Sequence, residues 1–293
     1  MTTGQIYDLG YAPHEGERLG RSGAMRAITK DGIKRALGIG RKARSKLMPM
    51  GLILAAMAPA IVLVGIAFVF KSEFDLEAGD LLGSPATYFD LIATLALLFI
   101  ALAAPAVMIP DRRDNVLAVY SSRPVSAADY LIARGGSLAI LMLAFLVLPQ
   151  LVLLVGLAAL DPSGLFSAMV SDSGEVLRVF AASIGYVGAF GVPAFLVASF
   201  AKRTGMAAGM TIIGLPLLDG IAEALSQSNL PGSSLAPLLG VATLGGAVRD
   251  WVFGRSNATF SQAGLPLWTA AAALVVVAVI VAAVVLRRYR REL

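Results

Sequence analysis

Six runs of about twenty mostly apolar residues constrain this chain more than anything else in it: 48–70, 87–109, 137–160, 179–200, 207–225 and 266–286. A helix needs a run of about that length to cross the hydrocarbon core of a bilayer. In lipid, only helices and closed barrels satisfy their own backbone hydrogen bonds. The runs and their connections take up nearly everything between residues 48 and 286. The expected fold is therefore all-α, a polytopic helical membrane protein with six transmembrane helices. Residues 1–47 form an N-terminal tail and 287–293 a short basic one. Composition agrees: 57% of the residues are apolar and 15% charged, against about 25% charged in a soluble domain.

Orientation follows from the cations. Of the 24 Lys and Arg, 20 fall in the segment before Met48, in 110–136, at Lys202 and Arg203, and after the last run. The other connections carry only Lys71, Arg178, Arg249 and Arg255. The positive-inside rule then places both termini and the 110–136 segment in the cytoplasm, and 226–265 outside. Glu73, Asp75, Glu77 and Asp80 join the outer side. A net charge of +5 reflects topology and anionic lipid, not nucleic acid. The absence of cysteine excludes a disulfide framework and a thiolate metal site. The first apolar run is too long for the core of a signal peptide and reads as an anchor that stays.

Residues 1–17 are polar and give little signal. From Leu19 the pattern changes. Met25, Ile28, Ile33, Ala36 and Leu37 follow helical spacing, with Arg26, Lys30, Lys34 and Arg35 on the other side. Such a basic amphipathic helix before a span is expected in the interface plane, its cations against lipid headgroups. A helix packed on another subunit is the alternative. Gly38 and Gly40 end it. On the outer side, 234–253 is broken by Pro237, Gly240, Gly245 and Gly246. Short helices, re-entrant or lying on the outer leaflet, are expected there, with Trp251, Phe260 and Trp268 as interfacial aromatics. Ala181, Gly185 and Ala189, and again Gly205 and Gly209, recur every four residues. That spacing lets helices approach closely, within the chain or between chains.

The 110–136 segment is the long polar interruption that is both Arg-rich and helical in pattern. Val116, Val119 and Tyr120 stand at i, i+3 and i+4, which predicts a short helix over 111–120 with one apolar face. Pro124 ends it, because the residue before proline is driven out of helical dihedrals. Ser126 then caps a second helix, with Asp129 in the capping-box position and Val125 and Tyr130 as staple. That helix runs through Leu131, Ile132 and Arg134 into the apolar run from Ser137. Val116, Leu117, Val119 and Tyr120 have no cytoplasmic domain to bury them. A partner groove with Arg112, Arg113 and Arg123 at its rim fits the usual anatomy of a protein contact.

Motifs for chemistry are missing. No G-x-x-x-x-G-K-[ST] phosphate loop occurs, so ATP is not split here by that route. The lone histidine, His14, cannot build a metal site or a catalytic dyad. No Gly-x-Ser-x-Gly elbow occurs. Asp219 and Glu223 share a helix face at i, i+4, and intramembrane acids are functional candidates by default. They bind a cationic substrate or relay protons, or else they mark the outer boundary after Pro216 and Gly220. Asp90, two residues after Tyr88, reads as an outer-interface acid. A secondary carrier or intramembrane enzyme using Asp219 and Glu223 is the alternative function. A carrier usually shows an inverted repeat with matched broken helices, and here the broken region occurs once. A non-transporting scaffold is a third reading.

Six spans, a basic helix before the first and broken short helices before the last resemble the permease subunit of ABC-2 type exporters. LAVYSSRPVSAADYLIARGGSL is similar to that family's pattern: a leucine-containing helix, a Ser-x-Pro-Val/Leu-Ser turn, then a Tyr-Leu helix ending in a basic residue. Pro124, Val125, Ser126, Tyr130, Leu131 and Arg134 match. The chain departs from it at Ala127, where many members are basic, and at Asp111-Arg112-Arg113, where an acidic pair is usual. The resemblance in topology covers almost the whole chain, the motif about twenty residues. It implies an elbow helix near 25–37 and a coupling helix near 111–120 docking on a separate ATP-binding cassette ATPase. It also implies a second permease copy or a related permease, ATP and Mg held by the ATPase rather than by this chain, and a prokaryotic inner membrane location.

Overall fold

The computed structural model describes residues 20–40, 42–74, 84–116, 125–171, 173–228 and 230–291. Leu117, Val119, Tyr120, Arg123 and Pro124 lie outside the described residues, as do the polar tail with His14 and the acids Asp75, Glu77 and Asp80. Among the described residues every regular element is helical. In chain order they are α1 (Gly20–Ala36), α2 (Arg44–Phe74), α3 (Pro85–Arg113), α4 (Ala127–Leu160), α5 (Leu165–Ser171) and α6 (Ser173–Tyr186). A π-turn (Val187–Gly191) leads to α7 (Val192–Phe200), followed by α8 (Thr204–Ser226) and a 3-10 turn (Ser233–Leu239). The chain ends with α9 (Val241–Phe253), α10 (Ala258–Gln262) and α11 (Trp268–Tyr289). Among the described residues six segments are long and apolar enough to cross a bilayer, and the chain is a multi-pass membrane protein.

Most spans run past their apolar runs. The second extends to Arg113 rather than 109, and the third begins at Ala127 rather than 137. Helix starts and stops account for this. Pro85 sits in the first turn of α3, where its missing N–H costs nothing. Ser126 and Asp129 form the capping box that starts α4, with Ser126 Oγ accepting from Asp129 N at 3.2 Å and Asp129 Oδ2 from Ser126 N at 3.0 Å. Val125 and Tyr130 are both buried in the main apolar cluster, as a staple requires.

Of the helix expected over 111–120, residues 111–113 are the end of α3, and 117–120 lie outside the described residues. α3 continues through Arg113 and stops in a Schellman motif, with Asn115 at φ 53°, Asn115 N donating to Arg112 O, and Val116 N donating to Asp111 O at 2.9 Å. Asn tolerates the left-handed conformation that this stop needs. Asp111 is therefore the last turn of a span, and Val116 lies beyond the turn. Gly38, at φ 67°, ends α1 the same way.

α3 is the hub. Of its most apolar window 67% is buried, against 17% for α2 and 22% each for α8 and α11. It packs against α1, α2, α4, α7, α8 and α9. Lipid tails supply little hydrophobic drive between helices, so packing decides such contacts. Small residues at Ala96, Ala101, Ala103 and Ala104 alternate with Phe89, Ile92, Phe99 and Ile100, all buried. Phe99 stacks on Phe145 of α4 at 4.6 Å, and Phe89 on Tyr186 of α6 at 5.2 Å. A side chain at Gly156 would press a Cβ to 2.4 Å from Val64, which fixes how closely α2 and α4 meet.

The broken segment before the last span enters the bundle. α9 buries Leu244, Ala247 and Val248 against α6 and α11. A Cβ on Gly185 would lie 2.6 Å from Val248, and one on Gly245 3.0 Å from Tyr186. The small residues of the fourth span thus serve packing within this chain, whereas Gly205 and Gly209 face open space. Trp251 and Trp268 are exposed, but Phe260 is fully buried. It is a core anchor for the segment rather than an interfacial aromatic.

Candidate functional site

The most strongly built polar site joins α1 to both helices that flank the 117–124 segment. Its centre is Asp111, fully buried at the end of α3. Four donors converge on it. Arg35 Nη1 reaches Oδ1 at 2.6 Å, while Tyr130 OH, Arg134 Nε and Arg134 Nη2 reach Oδ2 at 2.9, 3.1 and 2.5 Å. Arg134, also fully buried, donates further to Asp31 Oδ2 at 3.0 Å and to Ile28 O at 3.1 Å. Arg35 closes the ring on Asp31 at 2.8 Å. Two cations therefore meet two carboxylates from three helices, in a place where an uncompensated charge would be very costly. Burial pushes the Arg35 guanidinium down, but neighbouring Asp111 raises it by more, and the net is upward.

Local sequence explains each position. Tyr130 and Arg134 are one helical turn apart on α4, so both point to one face, and Arg134 lies over the Tyr130 ring at 5.7 Å. Tyr289 of α11 stacks on Tyr130 at 5.6 Å and ties in the last span. On α1, Asp31 and Arg35 are likewise i, i+4. Close approach is set by Gly32, where a Cβ would fall 2.4 Å from Ser137 Oγ and 3.2 Å from Arg134 Nη1. Thr29 Oγ1 donates to Ala133 O at 3.2 Å, and Ser137 Oγ to Thr29 O at 3.1 Å. One turn nearer the start of α4, Arg21 holds the capping residue Asp129 through two bonds of 2.8 and 2.5 Å.

The expected site residues are distributed as follows. Tyr130, Arg134 and the Ser126 cap come together at the cluster. Arg112, expected at a rim, instead turns back into the bundle. Its guanidinium donates to the carbonyls of Ser199, Ala198 and Ala201, the last two at 2.6 and 2.8 Å. It satisfies the exposed end of α7, since the last carbonyls of a helix lack intrahelical partners. Arg113 does face outward, paired with Asp114 at 2.9 Å. Val116 is half-buried after the turn.

The two acids part company. Asp219 reaches across to the start of α9, accepting from Ala242 N at 3.0 Å and from Thr243 N and Oγ1 at 3.1 and 3.2 Å. It is an N-cap supplied by another helix. Glu223 is exposed, and among the described residues its carboxylate accepts only from Gln227 Nε2, at 2.5 Å. Asp90 pairs with Arg249, which also bonds Asp250 at 2.8 Å. Asn257 Nδ2 donates to Asp250 at 2.8 Å. This second cluster latches α9 to the start of α3.

Sequence reasoning missed Asp111, Asp31 and Arg35 as site residues. The signal was present: Asn115 marks a helix stop, and a stop there leaves Asp111 inside the bundle. It also missed Gln150, fully buried in α4 with neither amide atom hydrogen-bonded among the described residues. Two concavities line α3 near the same end. One, of about 480 Å³, lies against Pro105, Pro110, Thr204 and Gly205. The other, of about 180 Å³, lies against Met48, Pro49, Phe99 and Ala103. Leu102 and Ala106 border both. Among the described residues no group of His, Cys, Asp and Glu could hold a metal ion. No known protein-family model matches the chain, and no curated protein sequence matches it.

Proposed function

We propose that this chain is the membrane-spanning permease subunit of an ATP-driven ABC-2 type exporter. In this reading the α1 end faces the cytoplasm of a prokaryotic cell, with both termini on that side, and 117–124 docks on a separate ATPase. That ATPase holds ATP and Mg, and a second copy or a related permease completes the path. The observation that carries the reading is the buried Asp111 cluster. It joins the two helices that bracket the docking segment to α1, and through α3 to the most buried part of the bundle. Arg112 extends the connection to α7 and Tyr289 to α11. A push on a short loop becomes bundle motion only if its base moves as one body, and a fully paired ionic cluster supplies that stiffness. The concavities on α3 beside Thr204 and Met48 open at the same end and are mainly apolar, which suits an apolar or amphipathic cargo entering from that side. The geometry of Asp219, spent on capping α9, favours the boundary reading of that acid over ion or proton transport.

The test is co-purification. The chain is co-expressed, tagged, with the phosphate-loop ATPase encoded beside its gene. The proposal expects a stable complex whose ATP hydrolysis exceeds that of the ATPase alone. No such neighbouring gene, or no complex and no change in hydrolysis, would refute it.

A further inference from the structure

α1 divides its cations by partner. Arg21 and Arg35, on the bundle side, are each paired with a carboxylate of another helix. Arg26, Lys30 and Lys34 are exposed and have no acidic partner among the described residues. They follow one another at i, i+4 and i+8, opposite the buried Ile28, Gly32 and Ala36. Like charges one turn apart repel each other weakly along a helix, so negative charge supplied from outside would relieve this ridge. A neighbouring ridge, Met25, Thr29 and Ile33, runs parallel to it, and the furrow between them is shallow and open on its outer side. Such a furrow offers cations on one wall and apolar surface on the other.

The register of α1 says what lies opposite. Arg21 meets Asp129 and Gly32 meets Ser137, so α1 runs alongside the first turns of α4, in the same direction, toward the apolar zone. Its outer ridge therefore points sideways rather than away from the membrane. The lateral surface at this level is apolar: Ile132 and Ile140 of α4 are exposed, as are Leu47 and Met48 just after the turn that follows α1. A lateral position at the apolar boundary, with unpaired cations and an apolar wall, is where a headgroup and the top of an acyl chain meet.

We infer that the Arg26–Lys30–Lys34 furrow is a binding site for an anionic phospholipid of the leaflet at the α1 end. The cations hold the headgroup phosphate, and Met25 and Ile33 carry the upper acyl chain. Because Asp31 and Arg35 directly follow Lys30 and Lys34 on α1, lipid charge acts on the helix that closes the Asp111 cluster. The site does not depend on the exporter reading.

The test uses the full chain in lipid nanodiscs. The chain lacks cysteine, so Ala27→Cys, exposed beside the ridge, carries the only bimane label. Phosphatidylglycerol or phosphatidylcholine, each with a nitroxide high on one acyl chain, is added at equal mole fraction. The expected result is about fivefold local enrichment of the anionic lipid over the zwitterionic one, the factor that about one cation–headgroup attraction supplies. Enrichment disappears in Arg26→Gln/Lys30→Gln/Lys34→Gln and persists in the charge-conserving Arg26→Lys/Lys30→Arg/Lys34→Arg. Equal quenching by both lipids, or enrichment that survives the triple Gln variant, overturns the site. Quenching by neither lipid overturns it as well and assigns the ridge to an acidic protein surface.

Discussion

Asp111→Asn tests the cluster most sharply, because it keeps shape and removes one charge. In the native protein Arg35 and Arg134 are balanced by Asp111 and Asp31. The variant leaves one buried positive charge uncompensated. The four accepted hydrogen bonds cannot all survive on an amide, because its one oxygen serves either the Arg35 side or the Tyr130 and Arg134 side and its NH2 faces a donor on the other. Removing one partner of a buried ion pair costs about 3–5 kcal/mol. Arg134 retains Asp31 and Ile28 O, which places the expected loss near the low end, about 3 kcal/mol, or on the order of a hundredfold in the folding equilibrium. Arg21→Gln is the control. Its ion pair with Asp129 is as short, but the Arg21 side chain is 67% exposed, and such pairs contribute about 0–1 kcal/mol. The assay is reversible unfolding in mixed micelles by added dodecyl sulfate, followed by Trp251 and Trp268 fluorescence. The double variant Asp111→Asn/Arg134→Met is expected to lose less than the two single changes together, since neighbours in one network are not additive. An Asp111→Asn loss below about 1 kcal/mol, indistinguishable from Arg21→Gln, would refute the reasoning.

Further outcomes follow from other contacts. Gly32→Val drives a side chain into Ser137 and Arg134; overpacking of that kind costs about 1–3 kcal/mol, and trypsin should release α1 faster than in wild type. Asp219→Ala removes the cap of α9 and costs about 1 kcal/mol, read as a lower unfolding midpoint, whereas Glu223→Gln stays within about 0.5 kcal/mol. Both should leave transport within a few-fold of wild type, and loss of transport with normal assembly would restore the acids as an ion or proton site. Gln150→Leu replaces a buried amide without hydrogen-bond partners by an apolar group of similar size, so stability should rise by about 1–3 kcal/mol, measured by the same titration.

The spans were legible because apolar length is a local property, and the start of α4 was legible because Ser126 and Asp129 form a capping box within four residues. The end of α3 was misread for a competing local reason. Val116, Val119 and Tyr120 have helical spacing, but Asn115 in the left-handed conformation ends α3 at Arg113, so Asp111 and Arg112 belong to the span and not to a separate helix; Val119 and Tyr120 lie outside the described residues. Arg134 was singled out by its resemblance to a family position, yet its partners lie 23 and 103 residues away. Pairing at that distance leaves no periodic trace. Phe260 was placed at the interface because aromatics gather there. Which way a short helix turns its one large residue is decided by tertiary packing, and Asn257, accepting from Phe260 N at 3.2 Å, orients that turn inward.

The central claim is that the segment between α3 and α4 is where a motor acts. The direct measurement is ATPase recovery and hydrolysis with Leu117→Ala/Tyr120→Ala, beside Arg113→Ala, in the co-purified complex. Truncating central apolar anchors commonly costs about 1–3 kcal/mol of binding each, whereas rim charges mainly change rate and salt dependence. The account predicts that the double variant releases the ATPase or uncouples its hydrolysis, while Arg113→Ala retains both. Unchanged recovery together with unchanged substrate-stimulated hydrolysis in the double variant would contradict it.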